Sequence, residues 1–384
     1  MSTVVSQDFD SLEPAIDPNN RISFLLDWEL TMKCNLDCEY CSTDLYGGHN
    51  NLTKHPPLDD CLKSIDFMFK YVSLYMKTKP KGLRHVILNV YGGESLHHPH
   101  IVEILKQVHE KYQQFQDLWH LTVTTTTNAI VSSRKLEQII PLIDEFTVSY
   151  HSFSTNDKQK QQFKQNLLAI QQSNKRQKCV VIMHSTPHLF EDSQNMIQWC
   201  QENNIKYLPR QIDHDNLTKK FSYNNEQVIW FDKLYLSKNY NSTESIQNSA
   251  TDQSNQINLS SVGRACCGGR SLCKDSNYKS RNFFVSNKFP DWYCSVNHFF
   301  LFVKQITGEI YSNRDCKMNF DGAVGPIGYL NDTATLISKI QNQLDNNTLP
   351  IIQCKKTFCL CGLCAPKSKT LDQYKSIMEK YQIN

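Results

Sequence analysis

The sequence predicts an α/β fold: a partial (β/α)6 TIM-like barrel followed by a small cysteine-rich C-terminal domain. Six strand-like segments alternate with helix-like segments between residues 22 and 213, which is typical of a parallel sheet that curls into a barrel. Cysteine and polar residues follow several of these strands, at the end where parallel α/β sheets place their ligand sites. Nine of the fifteen cysteines lie between residues 266 and 364, beyond the last predicted barrel strand.

Six segments rich in apolar and β-branched residues are predicted as strands. The first is the apolar run ISFLLDWELT, the second ends in a Gly-Gly turn, and the third contains four consecutive threonines. The predicted strands are 22–31, 84–94, 118–129, 145–152, 178–186 and 205–213. An open, doubly wound sheet is the alternative arrangement. However, the phosphate-binding pattern G-x-G-x-x-G that usually accompanies such a sheet is absent after the first strand.

The segments between these strands are predicted as helices. In the first of them, Leu58, Leu62, Ile65, Phe69 and Val72 recur at helical spacing, so one face is apolar. The later segments are amphipathic in the same way and are short enough to cross from one strand to the next. The predicted helices are 57–77, 100–115, 133–143, 157–174 and 192–204.

The chain is predicted to have four parts. Residues 1–21 form a polar N-terminal tail, and residues 22–213 form the core barrel. Residues 214–262 are rich in Asn, Gln and Ser and are predicted as a linker or insertion, in which only QVIWFDKLYL can pack as a helix. Residues 263–384 hold the C-terminal cysteines and a strand–turn–strand pattern around Thr307 and Gly308.

Composition restricts the classes of partner. The 384 residues carry a net charge of +3, without a basic stripe, so no nucleic-acid partner is expected. No run approaches the roughly 18 apolar residues of a membrane-spanning helix, and the first 20 residues do not form a signal peptide. We therefore predict a cytoplasmic protein without a membrane partner. In that reducing compartment clustered cysteines indicate metal or iron–sulfur ligands rather than disulfides.

The sequence KCNLDCEYC places Cys34, Cys38 and Cys41 in the loop after the first predicted strand. A structural zinc site is closed by four ligands, whereas an iron–sulfur cluster can leave one iron open to a substrate or cofactor. Three cysteines without a fourth nearby therefore favour a cluster with an open iron. Two further motifs end neighbouring strands, namely Gly92-Gly93-Glu94 and the TTTTNA segment that contains Asn128.

With these motifs the sequence resembles the radical SAM enzymes. The resemblance implies that Cys34, Cys38 and Cys41 hold a catalytic [4Fe–4S] cluster whose open iron binds S-adenosylmethionine. It also implies reductive cleavage of that cofactor to methionine and a 5′-deoxyadenosyl radical, which abstracts hydrogen from a substrate. An electron donor such as a flavodoxin or ferredoxin is then needed as a partner. The residues that the resemblance assigns to cofactor binding are Tyr40, Gly92, Gly93, Glu94, Asn128 and Ser149.

The C-terminal cysteines resemble the SPASM or twitch extension of this family, which holds one or two auxiliary [4Fe–4S] clusters. The spacing departs from the usual pattern, since Asn313 occupies a position that is normally cysteine. Cys266 is an alternative to Cys267 as a ligand, and zinc remains an alternative to either cluster. One predicted ligand group is Cys267, Cys273, Cys294 and Cys316, and the other is Cys354, Cys359, Cys361 and Cys364.

The resemblance to enzymes with auxiliary clusters implies a peptide or protein side chain as substrate. His151, Arg210 and Asp213, with His214 beside them, are the candidates for substrate contacts or acid–base chemistry, although ordinary surface ion pairs explain each of them equally well. Modification of a nucleoside or small metabolite is one alternative function. A non-enzymatic zinc-cluster protein and a family member that has lost catalysis are the others.

Overall fold

The structure is a computed structural model. It describes residues 11–12, 22–36, 38, 40–41, 54–80, 84–152, 156–173, 178–212, 221–234, 290–313, 319, 324–355 and 367–380. Strands and helices are numbered here in chain order. The strands are β1 (Ser11–Leu12), β2 (Ile22–Thr31), β3 (Arg84–Gly92), β4 (His120–Thr127), β5 (Glu145–His151), β6 (Lys178–Ser185), β7 (Tyr207–Gln211), β8 (Tyr293–Cys294), β9 (Phe300–Lys304), β10 (Glu309–Tyr311), β11 (Gly328–Tyr329), β12 (Ile352–Gln353) and β13 (Lys367–Ser368).

The helices separate most of these strands. They are α1 (Leu58–Lys77), α2 (Ile101–Tyr112), α3 (Ser133–Ile139), α4 (Asp157–Gln172), α5 (Phe190–Glu202), α6 (225–234), α7 (Val296–Phe299), α8 (Thr333–Asp345) and α9 (Leu371–Lys380). Local sequence explains where they begin and end. In a capping box at the start of α4, Asn156 and Gln159 exchange hydrogen bonds. Pro141 lacks an N–H group, and the chain tightens from α3 into a 3-10 turn at Ile140–Leu142.

Nine strands form the main sheet, in the order β11-β10-β9-β2-β3-β4-β5-β6-β7. The seven strands from β9 to β7 are parallel, and the hairpin of β10 and β11 continues the sheet in antiparallel fashion. Within the described ranges β7 and β11 are the two edges, so the barrel is open rather than closed. This arrangement confirms the predicted class, a partial TIM-like barrel.

The outer face of the sheet is apolar and is covered by helices. On β2, Phe24, Leu26, Trp28 and Leu30 alternate along the strand and pack into one buried core with residues of α1, α2, α3 and α4. Alternate residues of a strand point to opposite faces, so the residues between these four point into the barrel. The core thus fixes which side chains of β2 can reach the lumen.

The inner face is polar over much of its length. Asn89 on β3 donates a hydrogen bond of 2.9 Å to the carboxylate of Asp27 on β2, and Thr124 on β4 donates one of 3.3 Å to Asn89. Leu25 and Ile87 are apolar exceptions and pack with side chains from β8, α7 and α9 in a second, smaller core. A polar lumen is suited to a ligand site, whereas the apolar outer face serves packing.

Four short strands form a second sheet, separate from the main sheet in its strand pairing, in the order β1-β13-β8-β12. Ser11 pairs with Ser368, so part of the predicted N-terminal tail joins strands from the C-terminal region. Conversely, β9 from the C-terminal region pairs parallel with β2 over five residue pairs, from Leu25 with Phe300 to Glu29 with Lys304. The predicted strand–turn–strand around Gly308 therefore belongs to the main sheet.

All six predicted barrel strands and all five predicted helices between them are present, with ends that differ by up to four residues. The largest difference is at the end of α3, where the last residues of the predicted helix 133–143 form the 3-10 turn instead. The strands predicted at 84–94 and 118–129 each end two residues earlier, because their last residues belong to the loops of the site. Among the described residues, none of the helices is both long and apolar enough to cross a membrane.

Candidate active site at the carboxyl ends of the parallel strands

The cysteine loop begins where β2 ends, at Thr31. Cys38 is buried, Cys34 and Cys41 are partly buried, and the backbone N–H of Cys41 donates to the carbonyl oxygen of Cys38 at 3.0 Å. That bond closes a turn that contains the last two cysteines of the motif. The three thiols thus lie at the carboxyl end of the first barrel strand, as predicted.

Two glycines hold the end of β3 against the base of this loop. Gly92 has a φ of 151°, and a Cβ atom there would lie 1.9 Å from the carbonyl oxygen of Thr31. A Cβ atom at Gly93 would lie 2.4 Å from the carbonyl oxygen of Met32. With glycine at both positions, Gly93 N–H donates to the carbonyl oxygen of Thr31 at 2.7 Å, and Glu94 N–H donates to the carbonyl oxygen of Lys33 at 2.9 Å. Only glycine permits so close an approach of the two backbones.

The Glu94 carboxylate joins the ends of β3 and β4. It is 1% exposed and accepts hydrogen bonds from Leu96 N–H at 3.0 Å, from the Thr127 hydroxyl at 2.7 Å and from Asn128 N–H at 2.6 Å. Burial raises the pKa of Glu94, and the three donors act in the opposite direction. In the structure this carboxylate therefore binds its own chain, which the motif alone did not indicate.

Asn128 is 4% exposed and links β4 to the cysteine loop. Its amide nitrogen donates to the side-chain oxygen of Asn35 at 2.8 Å, and its own side-chain oxygen accepts from Ile130 N–H at 2.9 Å. Asn35 in turn donates to the carbonyl oxygen of Ile130 at 3.2 Å. Both groups of the Asn128 side chain are thus in use within the protein.

Two N–H groups lie near the sulfur of Cys34. Its sulfur accepts a hydrogen bond from Leu36 N–H at 3.4 Å, and the Asn128 amide nitrogen lies 4.0 Å away. Burial raises the pKa of this thiol to about 12, and the nearby Glu94 carboxylate adds to the shift. A metal ion bound to this sulfur would act in the opposite direction and favour the thiolate.

Tyr40, the aromatic residue before Cys41, contacts the end of β5. Its hydroxyl group lies 2.8 Å from Nδ1 of His151, and the two rings stack with centroids 5.8 Å apart. Burial lowers the pKa of His151 to about 4, and the charge of Arg210 contributes. The imidazole is therefore neutral near pH 7. Tyr40, His151 and Arg210 form one group at the rim of the barrel.

Ser149 and His151 share the inner face of β5. Tyr150 between them points the other way, where its hydroxyl donates to Asp192 at 2.7 Å and its ring contacts Phe163 of α4. Because side chains alternate along a strand, Ser149 and His151 must face the lumen. The register continues from His151 through residue 184 to Arg210, which places all three at the same level of neighbouring strands.

Histidines brace the loop from the outside. His55 Nδ1 lies 3.0 Å from the Thr31 hydroxyl, and its ring meets that of His98 edge-on at 5.0 Å. His98 is fully buried, and its Nε2 lies 3.0 Å from the carbonyl oxygen of Pro56. Nε2 of His97 lies 2.8 Å from the carbonyl oxygen of Ile130. These contacts hold the two chain segments that flank the cysteine loop.

The structure describes two of the eight predicted auxiliary ligands. Cys294 lies on β8 opposite Ile352, and Cys354 follows β12, where its N–H donates to Trp292 at 2.9 Å. Both cysteines are buried, one on β8 and one just after the neighbouring strand β12, although they are predicted in different ligand groups. The other predicted ligands, Cys267, Cys273, Cys316, Cys359, Cys361 and Cys364, lie outside the described residues, as do Cys266, Asp213 and His214.

The donors of the cysteine loop fit an iron–sulfur cluster. The loop supplies three soft thiol ligands within nine residues, and the Gly92–Gly93 contact fixes its base. Each cysteine of such a cluster binds a different iron, so the sulfurs need not converge on one point. Within the described ranges no three His, Cys, Asp or Glu side chains are grouped so that they could hold a single metal ion.

Sequence reasoning missed Asn35, His55 and the pairing of Tyr40 with His151. Asn35 carries the one signal that could have been found, because it is an amide between two predicted ligands. His55 lies in a segment without a regular pattern, and its contact with Thr31 depends on how the loop folds back. The Tyr40–His151 contact joins residues 111 positions apart and has no local signal.

Solved structures provide the comparison with known proteins, since no protein-family model and no curated protein matches the sequence. SuiB of Streptococcus suis bound to S-adenosylmethionine is 15% identical with a TM-score of 0.43, and the match covers 77% of this chain and 61% of that chain. A histidine-tagged form of anSMEcpe with bound AdoMet is 11% identical with a TM-score of 0.50, and the match covers 94% of this chain and 96% of that chain. Native anSMEcpe with bound AdoMet and Kp18Cys peptide is 11% identical with a TM-score of 0.49, over 93% and 96% of the two chains.

The chain thus spans 61% of the SuiB chain but nearly the whole of anSMEcpe. At 11% identity the likeness to anSMEcpe concerns the fold alone. Together with the parallel order of the strands, it shows that the chain has the partial-barrel α/β fold of anSMEcpe, which is the fold that the resemblance to radical SAM enzymes predicts.

Proposed function

We propose that this protein is a radical SAM enzyme that acts on a peptide or protein side chain. One observation carries the proposal: the three-cysteine loop, Gly92-Gly93-Glu94 and Asn128 lie together at the carboxyl ends of β2, β3 and β4 and are joined by hydrogen bonds. Three motifs separated by up to 94 residues in sequence form one site. The shared fold with anSMEcpe, a protein with bound AdoMet, supports the same conclusion.

Cys34, Cys38 and Cys41 would hold the [4Fe–4S] cluster, and S-adenosylmethionine would bind its open iron. When both are bound and an external donor such as a flavodoxin or ferredoxin supplies an electron, this chemistry yields methionine and a carbon radical that removes a hydrogen atom from the substrate. The chain itself binds, orients and shields the reactants. Tyr40 and Ser149 lie at the rim and on the lumen face, where they can contact the adenosine part of the cofactor.

Glu94 has a more limited role in this proposal than the motif implies. Three of the roughly four acceptor positions of its carboxylate are filled by Leu96, Thr127 and Asn128. One position is left for the amino group of the cofactor, so Glu94 both shapes the site and can bind the cofactor. Its buried negative charge would favour the cationic amine.

A peptide substrate is supported by the lumen and by the comparison. His151 and Arg210 lie at the open rim of the polar inner face, where they can contact a side chain that enters the barrel. The protein with the shared fold, anSMEcpe, has also been solved with a bound Kp18Cys peptide. Auxiliary clusters on the C-terminal cysteines would serve substrate binding or electron transfer, and the two proposed groups are those given by the sequence.

The proposal is tested by anaerobic reconstitution with iron and sulfide, followed by an assay for 5′-deoxyadenosine with dithionite and S-adenosylmethionine. We expect about twelve irons per chain if two auxiliary clusters form and about four if the C-terminal cysteines bind zinc. Cys38→Ala should abolish cofactor cleavage but leave the auxiliary metal in place. Cleavage at the wild-type rate in Cys38→Ala would refute the assignment of the catalytic cluster.

The same experiment separates the alternatives. Tightly bound zinc without cofactor cleavage would favour the non-enzymatic zinc-cluster protein. Cofactor cleavage that is stimulated by small metabolites or nucleosides, but not by a library of peptides, would favour the alternative function, modification of a nucleoside or small metabolite.

A further inference from the structure

The base of the cysteine loop belongs to a closed ring of hydrogen bonds. Glu94 N–H donates to Lys33, the Glu94 carboxylate accepts from Asn128 N–H, and the Asn128 side chain donates to Asn35, two residues after Lys33. The ring thus returns to the loop from which it started. It ties the ends of β2, β3 and β4 together around the first cysteine, Cys34.

Within this ring the Asn128 amide is held in one orientation. Its oxygen accepts from Ile130 N–H and its nitrogen donates to Asn35, so a rotation of the amide would break both bonds. In that orientation the same nitrogen is 4.0 Å from the Cys34 sulfur. With Leu36 N–H at 3.4 Å, two N–H groups thus face this sulfur.

We propose that Asn35 and Asn128 form a positioning pair that directs an N–H group at the Cys34 sulfur and thereby sets the reduction potential of the cluster bound there. The inference rests on the proposed function, since it requires a cluster at Cys34. N–H groups that face a cluster sulfur stabilise the reduced cluster, which carries one more negative charge. The pair therefore makes the cluster easier to reduce by a cellular electron donor.

Asn128→Ser is the variant that isolates this effect. A serine hydroxyl can accept the bond from Ile130 N–H within the same short turn, so the local backbone is retained. Serine is neutral, and its side chain has no N–H group to direct at Cys34. The variant thus removes the donor without adding a charge near the cluster.

Asn166→Ser is the matched control. The Asn166 side chain is 1% exposed and donates to the carbonyl oxygens of Ala129 and Val131 at 2.8 and 2.7 Å, so it braces the same turn from the side of α4. Among the described residues, Asn166 makes no hydrogen bond with Asn35 or Cys34. Its loss should lower the stability of the turn to a similar degree but leave the potential unchanged.

The measurement is an electron paramagnetic resonance titration of the reconstituted protein against potential. The signal of the proposed site is the component that S-adenosylmethionine alters and that Cys38→Ala lacks. We expect Asn128→Ser to lower the ratio of reduced to oxidised cluster about tenfold at a fixed potential, which corresponds to about 59 mV for one electron. Asn35→Ala should shift the reduction potential in the same direction but by less, because this variant frees the Asn128 amide to rotate without removing it.

The double variant provides the decisive comparison. If Asn35 acts only through Asn128, the double variant should match Asn128→Ser alone. The inference is overturned if Asn128→Ser keeps the wild-type potential, if Asn166→Ser shifts it equally, or if the two shifts simply add. Should Asn128→Ser fail to bind iron, an unchanged potential in Asn35→Ala would overturn it instead. A wild-type protein without the Cys38-dependent signal would refute the proposed function.

Discussion

Lys79 is a buried lysine in the turn after α1. It is 3% exposed, and its ammonium nitrogen has no hydrogen-bond partner among the residues that the structure describes. The nitrogen lies 5.4 Å from the centre of the Phe299 ring, next to His298. Burial lowers the pKa of Lys79 to about 7. The contact with an aromatic ring offsets only part of the cost of burying a charge.

We predict that Lys79→Met stabilises the protein near pH 6 by a few kcal/mol, because one unit of pKa corresponds to about 1.4 kcal/mol. Between about pH 7 and the unfolded pKa of about 10.4, the unfolded chain binds a proton that the folded chain does not. Wild-type stability should therefore rise with pH in that window, and the advantage of the variant should shrink.

Chemical denaturation at several pH values measures this difference. Lys77→Met, at an exposed lysine two residues earlier, controls for the loss of one positive charge. Equal stability of wild type and Lys79→Met at pH 6 would show that the contact with Phe299 fully compensates the buried charge.

Glu94 gives a second prediction at the level of the single residue. Both carboxylate oxygens accept hydrogen bonds from donors, whereas a glutamine amide has only one oxygen. In Glu94→Gln one donor must face an N–H group, in either orientation of the amide. We expect the iron-free variant to lose about 1–3 kcal/mol of stability, and the loaded protein to bind S-adenosylmethionine more weakly.

Thermal unfolding and equilibrium dialysis measure the two effects separately. Glu103→Gln, at an exposed position of α2, is the control for the change of charge. A fully stable Glu94→Gln protein with weakened cofactor binding would mean that Glu94 acts on the cofactor alone and not as a link between strands.

At the scale of elements, the sequence predicted the barrel strands because their patterns are local. The run ISFLLDWELT forms β2 with the predicted bounds, since ten residues of strand propensity outweigh any competing signal. The short strands were harder. Two residues, such as Gly328 and Tyr329 of β11, form a strand only because β10 is beside them, and no local pattern predicts that.

The loop after β2 and the turn after β3 depend on each other in a way that glycine alone allows. We predict that Gly93→Ala destabilises the protein by roughly 2–4 kcal/mol, since the new Cβ would lie 2.4 Å from Met32 and 2.6 Å from Lys33 backbone oxygens. These atoms are backbone and cannot rotate away. The base of the cysteine loop would have to shift, so reconstitution with iron should also fall.

Gly325→Ala is the matched control, because the nearest atom to its added Cβ is 4.0 Å away. Thermal unfolding and iron content are measured for both variants. Wild-type values for Gly93→Ala would show that the loop accommodates the extra carbon, and that the close approach of β3 is not needed to hold the cysteines.

At the scale of the whole molecule, the order of elements in the barrel was predictable but the way the C-terminal region joins it was not. The alternation of strands and helices between residues 22 and 213 dictates neighbouring parallel strands. By contrast, β9 pairs with β2 across more than 270 residues, and β1 pairs with β13 across the length of the chain. Pairing over such distances is decided by which edge is left open, and a single sequence does not encode that locally.

The candidate site likewise has features that the sequence predicts and features that it does not. The cysteines and Gly92-Gly93-Glu94 could be found from spacing, because each motif is a few residues long. The hydrogen bond from Asn128 N–H to the Glu94 carboxylate could not be found in this way, since it depends on the register of β3 and β4. Long-range register is a property of the folded sheet rather than of either strand.

The pairing of β9 with β2 leads to a prediction about which part of the chain can fold alone. Without β9, the ten-residue strand β2 would become an edge with unpaired N–H and carbonyl groups, and Leu25 and Ile87 would lose their apolar partners. Trp28 would also lose the hydrogen bond of 3.0 Å that its indole donates to Gln305. We expect a chain that ends at residue 234 to aggregate, although it contains all six predicted barrel strands.

A chain that ends at residue 349 is the comparison, since it keeps β9, β10 and β11 but loses β12 and β13. We expect it to be folded, with reduced stability because the second core lacks Ile352, Tyr374 and Met378. Size-exclusion chromatography and circular dichroism distinguish the two chains. If the chain ending at 234 were monomeric and unfolded cooperatively, residues 22–213 would be an independent domain and β9 a peripheral addition. If only the longer chain folds, the cysteine loop sits on an interior strand whose position depends on the C-terminal region.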